Sequence, residues 1–385
     1  MSPHPFPEEF RDINVEIAAH LSDLALMRES RHAKIAYKRA SRAVLNLEEF
    51  LDDFAAERSV REIPYIGPAT ERVVLEHLEL GRSATVERAL GKSGKRAEVE
   101  KARSYRTHFL SRAGVLAVLR ADAKGAIAPE SYRGDLQTHS EWSDGAEHIG
   151  LMAAAAKARG HRYIGISDHS YGLRIAHGMS MERAAERRRQ IEELNRREAA
   201  GNGKGAFRII AAIEANIPFE GGVDMTTDEL AEFELVLAAP HSRLRRPEDQ
   251  TGRMLATVRH PGVHILAHPR GRMYSRQGVL ARWDEVFEEA ARQGVAIEID
   301  GDPYRQDLDY SLARRASAAG CLFALDSDAH ASDQLEYADF ALAHARLAGI
   351  TAERVINTWS VGELLDWARH RSPRCGGAAI PTRVF

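Results

Sequence analysis

The chain has 385 residues, a net charge of −3, 44% hydrophobic and 28% charged residues. That length exceeds one ordinary core, so two domains are expected, and no apolar run approaches the ~20 residues that span a bilayer. Cys321 and Cys375 build no disulfide framework, and the acidic start (Glu8, Glu9, Asp12) lacks a signal-peptide core, so the expected setting is the cytoplasm, with no membrane and no obligatory protein partner.

From residue 14 to about 90 the pattern is helical. Ile17, Leu21, Leu24 and Leu26 recur at helical spacing, as do Ile35, Ala36, Ala40, Ala43, Val44 and Leu47. Among them stand Arg28, Arg31, Lys34, Lys38, Arg39 and Arg42 against one acid, Glu29. Charge alone fits a solvated helix face as well as a polyanion site. Between two helical patterns lies Ile63-Pro64-Tyr65-Ile66-Gly67-Pro68-Ala69-Thr70, which resembles a helix-hairpin-helix element. There, hairpin amides and the next helix's N-terminus hold a nucleic-acid phosphate without reading bases. Gly67 matches the second glycine of that element, and Tyr65 replaces the first.

With Asn14-Val15-Glu16-Ile17-Ala18, Ala36-Tyr37-Lys38-Arg39-Ala40 and Leu80-Gly81, the segment resembles the amino-terminal eight-kilodalton domain of family X DNA polymerases. The resemblance implies binding of gapped, nicked or single-stranded DNA ends through Lys34, Lys38, Arg39, Ile66, Gly67 and Ala69. It does not carry the lyase activity of some members, because Val73 stands where their Schiff-base lysine is expected.

Residues 92–124 form a second basic block, with Phe109, Leu110, Val115, Leu116, Val118 and Leu119 as its expected buried face. The interval before the next strand is too short for a polymerase palm with its paired aspartates, which excludes nucleotide polymerisation. The expected division is a helical DNA-binding domain at 1–91 and a basic helical linker at 92–131. A catalytic domain at 132–350 and a C-terminal helix and tail at 351–385 follow, the last stretch (372–385) frayed.

From residue 133 strands and helices alternate, the pattern of parallel β/α architecture. Strands are expected at 133–138, 163–167, 208–215, 235–239, 263–267, 296–300 and 322–326. Helices are expected at 151–159, 181–197, 247–259, 283–292, 308–319 and 334–347. Seven strands of this kind favour a barrel over an open sheet.

The strand ends carry the chemistry. The first leads into His139-Ser140 and Asp144, the second into Ser167-Asp168-His169-Ser170, and the third carries Glu214. The fourth ends in Pro240-His241-Ser242, the fifth in His268-Pro269-Arg270, and the seventh in Asp326-Ser327-Asp328-Ala329-His330. One such histidine is usually structural. Imidazole and carboxylate gathered on one rim repel and desolvate one another, and bound cations are the natural compensation. A His/Asp/Glu set without thiolates favours zinc, manganese or iron over magnesium.

In order and spacing, these motifs resemble the PHP (polymerase and histidinol phosphatase) domain, a distorted seven-stranded β/α barrel holding two to three divalent metals. The resemblance implies that His139, Glu214 and Asp328 hold one metal, with Glu214 bridging to a second held by His241 and His268. Asp144, His169 and His330 would hold the third. Where most of that family has His-x-His, this chain has Gln137-Thr138-His139, so Gln137 is at most a weak ligand. Such metals supply an activated water, and no covalent intermediate is needed. Ser140 and Ser170 are expected to support the ligands or cap helices. Arg174, Arg243, Arg270 and Arg305 are candidates for phosphate oxygens. Arg305 leads, because the segment from Glu298 to Leu308 resembles the sixth-strand region of the polymerase-linked branch. His148, His161, His177, His260 and His264 are expected to be structural or on the surface.

Two functions follow. One is a DNA-processing phosphoesterase, resembling a bacterial family X polymerase without its polymerase core and implying 3′–5′ exonuclease and 3′-end cleaning in repair. The other is a small-molecule phosphatase of the histidinol-phosphatase or nucleotide-phosphatase type, in which the helical domain only decorates or dimerises. The residues before 125 favour the first. A DNA-binding module with a degenerate barrel is disfavoured by the near-complete ligand set.

Overall fold

The computed structural model describes residues 6–202 and 207–371 and divides into a helical unit and a barrel unit. The expected frayed tail at 372–385, with Cys375, lies outside the described residues.

The helical unit comprises Phe6–Asp122 with Met273–Arg276. Its helices are α1 (Ile13–Met27), α2 (Arg31–Leu45), α3 (Leu51–Glu57), α4 (Pro68–Leu80), α5 (Ala84–Ser93), α6 (Arg96–Tyr105) and α7 (Arg112–Arg120). Asp12 caps α1 by accepting from the Asn14 and Val15 amides. The same buried carboxylate accepts from Ser111 N (2.8 Å) and Ser111 Oγ (2.9 Å), tying the start of α1 to the start of α7. A Cβ on Gly114 would meet that carboxylate at 2.2 Å, so only glycine fits there.

Ile17, Leu21 and Leu24 are buried as their spacing suggests. On α2 the buried stripe is Tyr37, Ala40, Ser41, Val44 and Leu45, while Ile35 and Ala36 face solvent. The stretch expected as a linker contains α6 and α7, which belong to this unit: Arg103 and Arg106 both reach the buried Asp23 at 2.6 Å. A buried charge must be paired, and two guanidiniums satisfy this one.

The barrel unit has seven parallel strands in sequential order: β1 (Gly134–Thr138), β2 (Tyr163–Ile166), β3 (Arg208–Asn216), β4 (Leu235–Ala239), β5 (Ile265–Leu266), β6 (Ala296–Asp300) and β7 (Leu322–Asp326). Between and after them run α8 (Ile149–Ala158), α9 (Met181–Asn202), α10 (Thr227–Leu230), α11 (Thr251–Val258), α12 (Trp283–Gln293), α13 (Tyr310–Ala318), α14 (Ala338–Leu347) and α15 (Val361–Arg371). The result is a nearly closed TIM-like barrel. Between β7 and β1 the described residues give one backbone bridge, Thr138 with Ala329.

Side chains stitch the remainder of that seam. Asp326 Oδ1 accepts from Leu136 N (2.7 Å) and Asn357 Nδ2 (2.8 Å), and Asp135 accepts from Ser327 N (3.2 Å). Asn357 also accepts from Leu325 N (2.7 Å) and donates to Gly134 O (2.9 Å). Burial pushes the Asp326 carboxyl up to about 6, and burial beside Asp326 pushes Asp135 well above the usual carboxylate range.

At the other end of the strands, Leu364 and Trp367 of α15 pack with Ile210, Leu235, Ile265 and Ala296, so α15 forms part of the barrel core. Burying Leu364 fully contributes about 1.5–3 kcal/mol.

Candidate metal centre

Each strand's C-terminal end delivers a polar group to one rim. His139 follows β1 directly, and Asp144 sits on the loop beyond it. That loop is fixed by Asp168, which accepts from Ser140 N (2.7 Å), Ser140 Oγ (2.8 Å) and Ser143 Oγ (2.8 Å). Arg187 of α9, fully buried, neutralises Asp168 at 2.8 Å and also donates to Ile166 O. A Cβ on Gly145 would lie 2.6 Å from the His139 carbonyl, so the turn after the ligand requires glycine. His268 and Asp328 have φ of +25° and +53°. Such backbone costs about 1–3 kcal/mol each and marks positions held for function. His268 is held by its own N–H, which donates to Glu298 Oε2 at 2.6 Å.

Glu214 lies at the centre, fully buried. Its Oε1 is 2.9 Å from His268 Nε2 and 3.2 Å from His241 Nε2. Its Oε2 is 3.1 Å from His169 Nδ1 and 3.3 Å from His139 Nε2. Asp328 is 3.1 Å from His139 Nε2, and Asp144 lies 3.4 Å from His169 Nε2 and 3.5 Å from His330 Nε2. The His139 ring packs against both His169 (4.4 Å) and His330 (4.3 Å). Burial alone would raise Glu214, but His169 and His241 outweigh it and hold the carboxylate well below its ordinary value. Burial pushes His169 down to about 4. His330, opposed by burial, is carried up to about 9 by its bond to Asp144 and the charge of Asp328.

The ligand-type atoms fall into three groups, each with all its atoms within 4.8 Å of one another. They are His139, Asp144, His169 and His330; then His169, Glu214 and His241; then His139, Glu214 and Asp328. His268 joins none of these groups and touches Glu214 from another side. Several buried atoms here have no hydrogen-bond partner: Gln137 Oε1 and Nε2, His139 Nδ1, His268 Nδ1, and the close pair His169 Nδ1 and Glu214 Oε2. An unpaired buried polar group costs about 1–3 kcal/mol. The atoms that converge are His169 Nδ1 and the Nε2 atoms of His139, His241 and His268 around the Glu214 carboxylate, with Asp328 beside His139. Lone pairs meeting in this way are what cations satisfy, so the donor set fits divalent metals.

The four candidate arginines separate. Arg305 lies 3.2 Å from Asp328 Oδ2 and 3.1 Å from Asp300 Oδ2, within the centre. Arg270 pairs with Asp307 (2.9 Å) and Asp309 (2.7 Å). Arg174 is exposed on a turn after β2, and Arg243 is exposed over the Phe219 ring.

Comparison with known proteins places this centre in a family. No family model matches the chain. A probable phosphatase of Yersinia pestis (strain Pestoides F) is 30% identical over 183 residues, covering 45% of this chain and 71% of that protein. The chain belongs to the PHP family. The DNA polymerase/3′-5′ exonuclease PolX of Bacillus subtilis (strain 168) is 32% identical over 234 residues, 60% of this chain. The match spans only 40% of that polymerase's own length. A structure of histidinol phosphate phosphatase from Lactococcus lactis, complexed with zinc, L-histidinol and phosphate, shares 16% identity. It covers 56% of this chain and 94% of that one, with a TM-score of 0.41.

As a PHP protein the chain is a metal-dependent phosphoesterase. Its sequence did not single out Arg187, which is one arginine among many on a polar helix. Nor did it single out Asn216, whose Oδ1 lies 3.2 Å from His241 Nδ1 and orients that ring.

The residues expected to meet DNA lie in the helical unit. Lys38 and Arg39 are exposed on α2, Lys34 is half-buried, and Arg39 lies over the Tyr65 ring at 5.6 Å. Ile66 is buried and Ala69 is exposed on the first turn of α4. Gly67 caps that helix, its N–H donating to Thr70 Oγ1 at 2.8 Å. Tyr65 takes φ of +68°, a left-handed backbone that glycine adopts freely.

Proposed function

We propose that this PHP protein hydrolyses phosphodiester bonds at the 3′ end of DNA, as a 3′–5′ exonuclease in end processing for repair, without polymerase activity. The observation that carries the reading is a distinct compact unit, Phe6–Asp122 with Met273–Arg276, that presents the cations of α2 beside an exposed hairpin. A small-molecule phosphatase has no use for it. The partial match to a polymerase/exonuclease supports the same reading.

The residues from His139 to His330 that converge here would hold manganese, zinc or iron, which would supply a water activated near neutral pH and a Lewis acid for phosphoryl oxygens. Glu214, touching four imidazoles, fixes the spacing of the ligand groups. Arg305 orients Asp328 and brings a cation to the place where phosphate charge grows. Asp144 and His330 have the more accessible side chains, 30% and 32% exposed, so substrate approaches on their side.

The probable phosphatase of Yersinia pestis, matched over 71% of its length, favours a second reading as a phosphomonoesterase. The full chain with manganese, given 3′-labelled single-stranded DNA and phosphorylated metabolites side by side, separates the two. Stepwise shortening from the 3′ end, lost in His268→Ala while DNA binding persists, is expected. Fast metabolite hydrolysis with DNA ends untouched would establish the second reading.

A further inference from the structure

The loops that follow β3 and β4 carry a pair that the metal chemistry does not use. Phe219 is 50% exposed, and the Arg243 guanidinium stacks on its ring with Cζ 3.6 Å from the centroid. A lone exposed phenylalanine is ordinary. This one is held in a built setting.

Arg253 of α11 is buried and donates to Ile217 O (2.6 Å) and Pro218 O (2.9 Å) on the first loop. The same guanidinium donates to Ser242 O (3.0 Å) and Ser242 Oγ (3.2 Å) on the second. Arg253 also donates to Gln250 Oε1 (2.8 Å), and Gln250 Nε2 in turn donates to Arg243 O (3.1 Å). Arg243 has φ of +57°, a conformation unfavourable for arginine and maintained by those bonds. One buried cation therefore clamps both loops and fixes the ring and the guanidinium against each other.

The platform lies close to the metal ligands. Arg243 is two residues past His241, and Phe219 is three past Asn216, which contacts His241. At about 3.8 Å per residue, the Arg243 backbone is within about 8 Å of His241 and that of Phe219 within about 11 Å of Asn216. The pair therefore borders the loops that carry His241 and Asn216. A π-face backed by a fixed guanidinium suits a planar aromatic ring of any sequence. Exposed Arg245 and Arg246 follow on the same loop, adding positive charge for a backbone.

We infer that Phe219 and Arg243 form a stacking subsite for the nucleobase of the terminal nucleotide, holding its phosphodiester at the metal centre. The inference rests on the 3′-end reading above. It predicts that a base is recognised as a flat surface and not by its hydrogen-bonding edge.

The test uses the full chain with manganese and two single-stranded oligonucleotides, one ending in a normal 3′ nucleotide and one in an abasic residue. Stacking is worth about 1–3 kcal/mol per base, so the wild type should prefer the normal end by about tenfold, mainly in KM. Phe219→Ala should bring the ratio near one with its metal content intact, and Phe219→Trp should restore it. Phe219→Leu, which keeps bulk without a π-face, serves if the alanine variant folds poorly, and should also lose the preference. A wild type that cleaves both ends equally overturns the subsite and leaves the exonuclease reading standing, as does a preference that survives Phe219→Leu. No cleavage of either end overturns the exonuclease reading itself. Direct binding of free nucleoside monophosphate distinguishes the source of the base: binding lost in Phe219→Ala, with no cleavage of DNA by the wild type, would assign the platform to mononucleotides and overturn the inference.

Discussion

Glu214 concentrates the chemistry of the centre in one side chain. It carries a single negative charge between four imidazoles, and two of the three ligand groups share it. Glu214→Gln keeps the shape and replaces one oxygen by an NH2 group, which faces imidazole nitrogens with hydrogen and not a lone pair. It should cost at least one equivalent of metal on elemental analysis and lower phosphoester hydrolysis by more than about 100-fold. Full metal content in a folded Glu214→Gln protein would show that the carboxylate is not a ligand. The ligand-type residues were legible because each motif is local, with side chain and strand end within a few positions. The residues that aim them were not. Asp168 adjoins His169, yet its partners Ser140 and Arg187 come from the loop after β1 and from α9. Nothing in either stretch marks that meeting.

At the scale of elements, the alternating pattern located all seven strands, passed over the short α10, and misplaced boundaries that tertiary bonds decide. The helix expected from residue 247 begins at Thr251, with Gln250 as its N-cap residue, and Asp249 turns the chain just before it by accepting the Thr251 N–H at 2.9 Å. The seam between β1 and β7 was invisible, since Asp135, Asp326 and Asn357 read as ordinary polar residues until the fold sets them side by side. The docking of α15 was equally hidden, and it depends on a histidine. His264 Nδ1 accepts from Val236 N (2.9 Å), leaving Nε2–H to donate to Ala368 O (3.0 Å). Burial pushes this imidazole down to about 4 from its ordinary 6.5. Between those values the unfolded chain binds a proton that the folded chain refuses. The associated stability is therefore complete above pH 6.5 and is lost as pH falls toward 4, at about 1.4 kcal/mol per unit and about 3 kcal/mol in all. His264→Gln can keep both hydrogen bonds and does not titrate. In urea unfolding with chelator present, the wild type should lose more stability than His264→Gln between pH 7 and pH 5. Equal losses would remove His264 from the acid sensitivity.

At the scale of the molecule, the sequence separates a cationic helical part from a catalytic barrel, and the structure places their chemistry in different units. The residues able to hold metal all lie in the barrel unit, and the cations of α2 all lie in the other. Binding and hydrolysis should then be separable by mutation. If α2 contacts phosphates, affinity for single-stranded DNA falls with salt by about 0.7 log units per contact per log of salt. Replacing Lys34, Lys38 and Arg39 with glutamine in the full chain should flatten that slope by about two. Binding is measured with chelator present, so that the DNA is not consumed. Hydrolysis of a small chromogenic phosphodiester, which needs only the barrel, should keep its rate in the triple variant. A flattened slope with that rate retained assigns α2 to DNA. An unchanged slope means the cations are a solvated face, and the case for a nucleic-acid substrate then rests on the barrel rim alone.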